Sequence, residues 1–226
     1  DEIFSTFLVN SEIRKKIKRI KKTKKNFNIN KQNEIISKLH FSLTKDQNKT
    51  LNEINKDLCS ENKMFRLLQG DVGSGKTIVS LLSAFNTINS GFQVAVMAPT
   101  EILARQHFLL AKKLFSRNIK IELISGKSSY KDKKVILNKL SSKQIDIIFG
   151  THALFQKKVE FKKLGLIIID EQHKFGVNQR ISIAEKGKDV NLLVMTATPI
   201  PRSLALTSYG DMSLSNLKTK LTNAYH

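Results

Sequence analysis

The sequence predicts an α/β fold, a mostly parallel, doubly wound sheet flanked by helices. Three observations predict it. Short aliphatic runs bounded by polar residues alternate with amphipathic stretches from about Asn33 onward. The string LLQGDVGSGKTIVSLLSA at 67–84 reads as strand, Gly-rich turn and helix. The run Leu166–Ile169 delivers two adjacent acids, Asp170 and Glu171, at its end. Strands alternating with helices argue for parallel βαβ units. In such sheets the side chains at the carboxyl ends of the strands line the ligand crevice.

Taken in order, periodicity predicts helices over 46–58, 77–88, 101–115 and 130–140, and strands over 65–69, 93–98, 119–125, 145–149, 166–170 and 192–196. The helix over 77–88 is ended near Gly91, and the one over 101–115 carries Leu103, Leu109, Leu110 and Leu114 as apolar positions. All three prolines, Pro99, Pro199 and Pro201, fall just after strands, where loops meet the crevice. Ahead of this region, nine basic residues crowd between Arg14 and Lys25, while Ile13, Ile17 and Ile20 recur at helical spacing. That pattern predicts a basic amphipathic helix over 1–26, read either as a DNA-facing arm or connector or as a solvated face. A break is expected over 26–31. The expected organisation is a basic helical extension or linker over 1–32, a nucleotide-binding domain over 33–212 and a tail over 213–226.

Composition narrows the class. The chain has 226 residues, 40% of them hydrophobic, which is enough for a packed core. No apolar run approaches the ~20 residues of a membrane span, and no signal-peptide pattern opens the chain. The single cysteine, Cys59, excludes an internal disulfide and fits a reducing cytosol, so a cytoplasmic location is expected. No Cys/His cluster has zinc spacing. The chain opens on Asp1 rather than Met, which suggests a piece of a longer protein. A net charge of +20 points to a polyanionic partner, nucleic acid above all. A Lys/Asn/Ile-rich compositional bias would also give such a charge.

The Gly-rich turn carries the clearest chemistry. Gly70, Asp71, Val72, Gly73, Ser74, Gly75, Lys76 and Thr77 match G-x-x-x-x-G-K-[ST] between a strand and a helix, the context that pattern requires. The glycines let backbone N–H groups curl around a phosphate, and the following helix adds the positive end of its dipole. Lys76 reaches the β- and γ-phosphates as a point charge, and the Thr77 hydroxyl is placed to ligate Mg²⁺. Two acids at a strand end are costly without a cation or a water to serve. Asp170 is therefore expected to hold the Mg²⁺, directly or through a water in its coordination shell, and Glu171 to orient and deprotonate the attacking water. Gln172 and His173 stand where a γ-phosphate sensor would. ATP and Mg²⁺ are the implied cofactors.

Five strings then carry a resemblance. DEQH at 170–173 resembles motif II of superfamily-two helicases and translocases, and MTATPIPRSLALTSYGDM at 195–212 resembles motif III. MAPTEILARQH at 97–107 is similar to motif Ia, GTHALFQ at 150–156 to the DNA-contacting motif before motif II, and FSLTKDQ at 41–47 to the segment whose Gln, here Gln47, reads the adenine. The motifs run in order over residues 41–212. Within the superfamily, LLQGDVGSGKT and IDEQHKFGVNQR look most like the RecG type, which remodels stalled forks and four-way junctions in recombination and repair. The related transcription-repair coupling translocases tend to read Asp-Glu-Glu-Gln at motif II, so Gln172 and His173 favour the RecG type over that alternative. Lys174 and Ser203 depart from the usual Arg and Thr but keep charge or hydroxyl.

The resemblance implies a RecA-like motor domain with ATP bound against a second such domain, which would supply catalytic arginines. That domain and an oligonucleotide-binding wedge lie outside this sequence, so in isolation a nucleotide- and DNA-binding half-motor without turnover is a further reading. The resemblance also implies sequence-independent contacts to branched or double-stranded DNA from Pro99, Thr100, Arg105, Gly150, Thr151 and His152. It gives Thr196 and Thr198 the task of coupling nucleotide state to DNA grip.

Overall fold

The computed structural model describes residues 21–126, 129–156, 159–170, 187, 189–198 and 212–218. Their elements are α1 (Ile29–Ile36), α2 (Lys45–Cys59), β1 (Phe65–Gly70), α3 (Lys76–Asn89), β2 (Gln93–Met97), α4 (Glu101–Leu114), β3 (Ile121–Leu123), α5 (Tyr130–Ser141), β4 (Ile147–Gly150), a 3₁₀ turn (His152–Phe155), β5 (Leu164–Asp170), β6 (Asn191–Thr196) and β7 (Ser213–Leu217). The seven strands form one parallel sheet in the order β3-β4-β2-β5-β6-β1-β7. No described helix is long and apolar enough to cross a membrane.

Period-two alternation divides the core. Leu68, Val94, Val96, Phe149, Leu166, Ile168 and Met195 point to the face covered by α1, α2, α3 and α4. Leu67, Ala95, Met97, Ile148, Ile167, Ile169 and Val194 point to the other, which Leu140 of α5 helps to cover. Both faces being covered, every residue of β2, β4, β5 and β6 is buried, and these strands read as continuous apolar runs. Helix starts are fixed locally. Thr44 and Gln47 form a reciprocal capping box on α2, and Thr100 and Ser129 cap α4 and α5 through their hydroxyls.

Three features differ from the sequence reading. Helix α1 begins inside the break expected over 26–31, because the Asn28 side chain accepts from the Asn30 N–H and caps it. Its buried Gln32 then joins Asn55 of α2 and Asn86 of α3, with Gln32 Oε1 accepting at 2.9 and 2.6 Å. Of the basic helix expected over 1–26, residues 1–20 lie outside the described residues, and 21–28 are not helical. Finally, residues 213–217, expected in a tail, are β7, paired in parallel with β1. The string SLSNL lacks an apolar run; its place comes from pairing and from Arg66. That guanidinium lies 3.0 Å from Glu53, 2.8 Å from Asp57 and 2.6 Å from the Ser215 hydroxyl, joining β1, α2 and β7.

Two lysines of the 21–28 segment are buried for a reason visible in their partners. Lys22 Nζ donates to the carbonyls of Asp57, Leu58 and Ser60 at 3.0, 2.8 and 2.7 Å, at the C-terminal end of α2, where carbonyls lack helical partners. Lys25 Nζ donates to the Asp189 carbonyl at 3.0 Å and lies 4.3 Å from the centre of the Phe92 ring. Gly165 makes room for this stack: a Cβ there would meet Phe92 Cβ at 2.5 Å and Lys25 Cε at 2.9 Å. Burial pushes the Lys25 amine down to about 7 and that of Lys22 down to about 8, from 10.5. The unfolded chain therefore binds more protons than the folded one between about pH 7 and 10.5. Stability should rise with pH across that window, approaching ~1.4 kcal/mol per unit for each such lysine. Denaturant unfolding followed from pH 7 to 9.5 should show the rise, and Lys25→Met should flatten it by one lysine's share.

Candidate nucleotide site and DNA-facing edge

Because all seven strands run the same way, the chemistry-bearing loops leave one edge of the sheet. The phosphate-binding loop follows β1, Thr196 ends β6 and Asp170 ends β5. Register places Asp170 opposite Met195, which lies opposite Leu68, while Thr196 lies opposite Gln69. With neighbouring strands ~4.8 Å apart, β5 stands ~10 Å from the strand that feeds the loop.

The loop is shaped by backbone demands. Gly73 and Gly75 have φ of 82° and 84°, the left-handed region that glycine tolerates. Gly70 has no space for a side chain: a Cβ would meet Ser74 Oγ at 2.6 Å and Leu217 Cβ at 2.9 Å. Asp71, Val72 and Gly73 are exposed, and Thr77 is half-buried in the first turn of α3. Lys76 Nζ donates to the carbonyls of Gly70 at 2.6 Å and Asp71 at 2.9 Å. Gln47, given to the adenine by resemblance, is fully buried behind the loop. Its Oε1 accepts from Thr44 N at 2.9 Å, and its Nε2 donates to the Ser74 carbonyl at 2.8 Å, so here it braces the loop.

The donors fit a hard divalent cation bound with a nucleotide. Asp170 offers a nearly buried carboxylate, Thr77 offers a hydroxyl, and Ser74 Oγ is buried without a hydrogen-bond partner among the described residues. An all-oxygen set with one carboxylate and substrate phosphates is what Mg²⁺ takes. Glu171 and His173 lie outside the described residues.

The second group of expected residues gathers at the neighbouring strand ends. Met97 of β2 pairs with Gly150 of β4, and Ala98 N donates to the Gly150 carbonyl at 3.0 Å. Pro99 and Thr100 therefore leave the sheet beside Thr151 and His152, with Arg105 exposed one turn along α4. Gly150 is enclosed by Ile124 and Leu154, its absent Cβ lying 2.7 Å from Ile124 Cγ2. At the end of β6, Thr196 and Thr198 share a hydroxyl contact of 3.0 Å.

One residue escaped the sequence reading. His107 of α4 is buried, and its Nε2 lies 2.6 Å from Asp170 Oδ2. The signal was its setting: with Ala104, Ala111 and Leu114 it forms the buried stripe of α4. A polar side chain on such a stripe calls for a partner.

The sequence profile of the DEAD/DEAH box helicases matches residues 44–207. The chain belongs to the DEAD/DEAH box helicase family. It is 52% identical over 177 residues to the ATP-dependent DNA helicase RecG of Streptococcus pneumoniae serotype 4, a match taking in 78% of this chain and 26% of that protein. Against RecG of Aquifex aeolicus it is 46% identical over 218 residues, 95% of this chain and 28% of the relative. A solved structure of RecG bound to a three-way DNA junction superposes with a TM-score of 0.86 at 42% identity, covering all of this chain and 30% of that one. A DEAD box protein from Methanococcus jannaschii shares the fold, with a TM-score of 0.63 at 24% identity over 85% of this chain and 55% of the other. The chain thus spans between a quarter and a third of the RecG proteins it matches. The parallel sheet is the fold of the helicases it matches, and the RecG relatives are ATP-dependent.

Gly70→Ala tests the loop geometry. The added methyl should displace Ser74 and β7 and weaken ATP binding, read by titration with a fluorescent ATP analogue. A Gly70→Ala chain that binds as the parent does would disprove this account of the loop.

Proposed function

We propose that this chain is the ATP-binding half of a RecG-type DNA helicase motor that remodels branched DNA in the cytoplasm. The observation that carries the reading is the adjacency of two sets of residues on one sheet edge, in a chain about half identical to RecG proteins over most of its length. The phosphate loop, Thr196 and Asp170 occupy the β1, β6 and β5 ends. Pro99, Thr100, Gly150, Thr151 and His152 occupy those of β2 and β4.

On this reading Lys76 exchanges the Gly70 and Asp71 carbonyls for the β- and γ-phosphates, aided by the N–H groups of the loop and the start of α3. Thr77 and Asp170 hold Mg²⁺, which offsets charge on the phosphate oxygens. Glu171 orients and deprotonates the attacking water, and His173 senses the γ-phosphate. Arginines from a second RecA-like domain complete the site; in comparable phosphoryl transfers such a group is worth ~10³–10⁵ in turnover. Pro99, Thr100, Arg105, Gly150, Thr151 and His152 contact the DNA backbone without reading bases. Thr196 and Thr198, at the end of the strand between the phosphate loop and Asp170, pass the nucleotide state on to the DNA grip.

Two outcomes are expected. Grafted in place of the matching stretch of pneumococcal RecG, this chain should support ATP-dependent unwinding of branched DNA, and Lys76→Ala should lower that turnover by on the order of 100-fold or more. Undiminished hydrolysis by the Lys76→Ala graft would remove the nucleotide assignment. Binding of the chain to duplex DNA should weaken with salt by ~0.9 in log K per log salt for each phosphate contacted, irrespective of sequence. Arg105→Ala should reduce that slope by about 1 in a fluorescence-anisotropy series.

A further inference from the structure

We infer that His107 is a positioning residue for the metal-binding carboxylate, fixing Asp170 through one oxygen so that the other faces the cation. This rests on the nucleotide site proposed above and adds to it a residue on the DNA-facing side. Helix α4 packs over β3 and β4, so His107 reaches past β2 to the end of β5. Both groups are nearly buried, and the 2.6 Å Nε2···Oδ2 contact spans 63 residues of sequence. An ionised carboxylate only accepts, so the imidazole Nε2–H donates. Among the described residues Asp170 takes no other side-chain hydrogen bond, so this contact fixes its rotation. Carboxylates that ligate metals are commonly held by such outer partners, whose removal weakens metal binding by ~10–100-fold.

The backbone around His107 makes the support rigid. Ala104 and Ala111, one turn to either side, are 1% and 0% exposed, so this face of α4 is held by packing. Thr100 caps the helix two turns earlier. Lys76 donates to the Gly70 and Asp71 carbonyls of its own loop, whereas His107 acts through Asp170, so its effect falls on the metal-dependent part of nucleotide binding.

The test compares His107→Leu, which fills the site without a donor, with His107→Gln, whose amide can donate from a similar reach. For each chain, ADP affinity is measured by titration with and without Mg²⁺ at one fixed pH, and the ratio is the readout. The parent should bind ADP more tightly with Mg²⁺. His107→Leu should lose ~10-fold or more of that gain while keeping metal-free ADP affinity, and His107→Gln should restore the gain to within about threefold. Because the ratio is taken within each variant, modest losses of stability do not disturb it. An equal Mg²⁺ gain in all three chains would overturn the inference and leave the nucleotide reading intact. So would a loss in His107→Leu that extends equally to metal-free binding, which would mark a packing role. A parent chain with no Mg²⁺ gain would overturn both.

Discussion

Parallel pairing is the constraint on which the rest of this molecule depends. Parallel strands need crossovers, and the described helices, α1 to α4 on one face and α5 on the other, cover the sheet. Water is thereby excluded from β2, β4, β5 and β6 along their whole length. Polar chemistry is left with the strand ends, and parallelism gathers the carboxyl ends at one edge. The same register that aligns Ile169 with Val194 and Leu68 with Met195 brings Asp170 and the phosphate loop to that edge. A one-residue slip of β5 would turn its alternating core residues to the opposite faces, so the position of the acid is fixed by the core.

Polar groups inside this apolar frame act as fasteners between elements. Arg66 joins β1 to α2 and β7, Gln32 joins α1 to α2 and α3, and Gln47 joins α2 to the phosphate loop. Each pairs groups whose burial alone would be costly, so loss of one partner exposes the other to the full desolvation penalty. Helix α2 takes part in all three. The candidate phosphate loop is thus braced from behind by the helix that also anchors the edge strand, and Leu217 of that strand occupies the space a side chain at Gly70 would need.

What could be read from the sequence follows from the range of the interactions. The phosphate loop was legible because its signal is local: glycines needing positive φ, a lysine, a hydroxyl and flanking apolar runs lie within a dozen residues. Asp170 was legible because an aliphatic run marks a buried strand and an acid marks its end. Strand β7 was not, since SLSNL owes its place to Arg66 and to β1 rather than to its own apolarity. Gln47 was placed by resemblance, but its buried bonds to Thr44 and Ser74 needed coordinates. His107 left only the trace of a polar residue on the buried stripe of α4; its partner lies 63 residues away.

The His107–Asp170 contact acquires its meaning from where it crosses the sheet. Strands β4 and β2 carry the candidate DNA-facing loops, and β5, β6 and β1 carry the candidate nucleotide loops, so the β2–β5 pair is the seam between them. Backbone pairing along that seam is continuous and stiff. At its open end the hydrogen bond from α4 to Asp170 joins side chains of the two halves. Thr100 and His107 are seven residues apart on one helix, ~10.5 Å along its axis. A helix that short moves as a rod, and side-chain hydrogen bonds lose their strength once donor and acceptor part beyond ~3.5 Å. A displacement of α4 by little more than ~1 Å at its DNA-facing end therefore either carries the Asp170 carboxylate with it or releases it. On the proposed assignment of both groups of loops, the state of the candidate DNA-facing loops would reach the carboxylate through this bond.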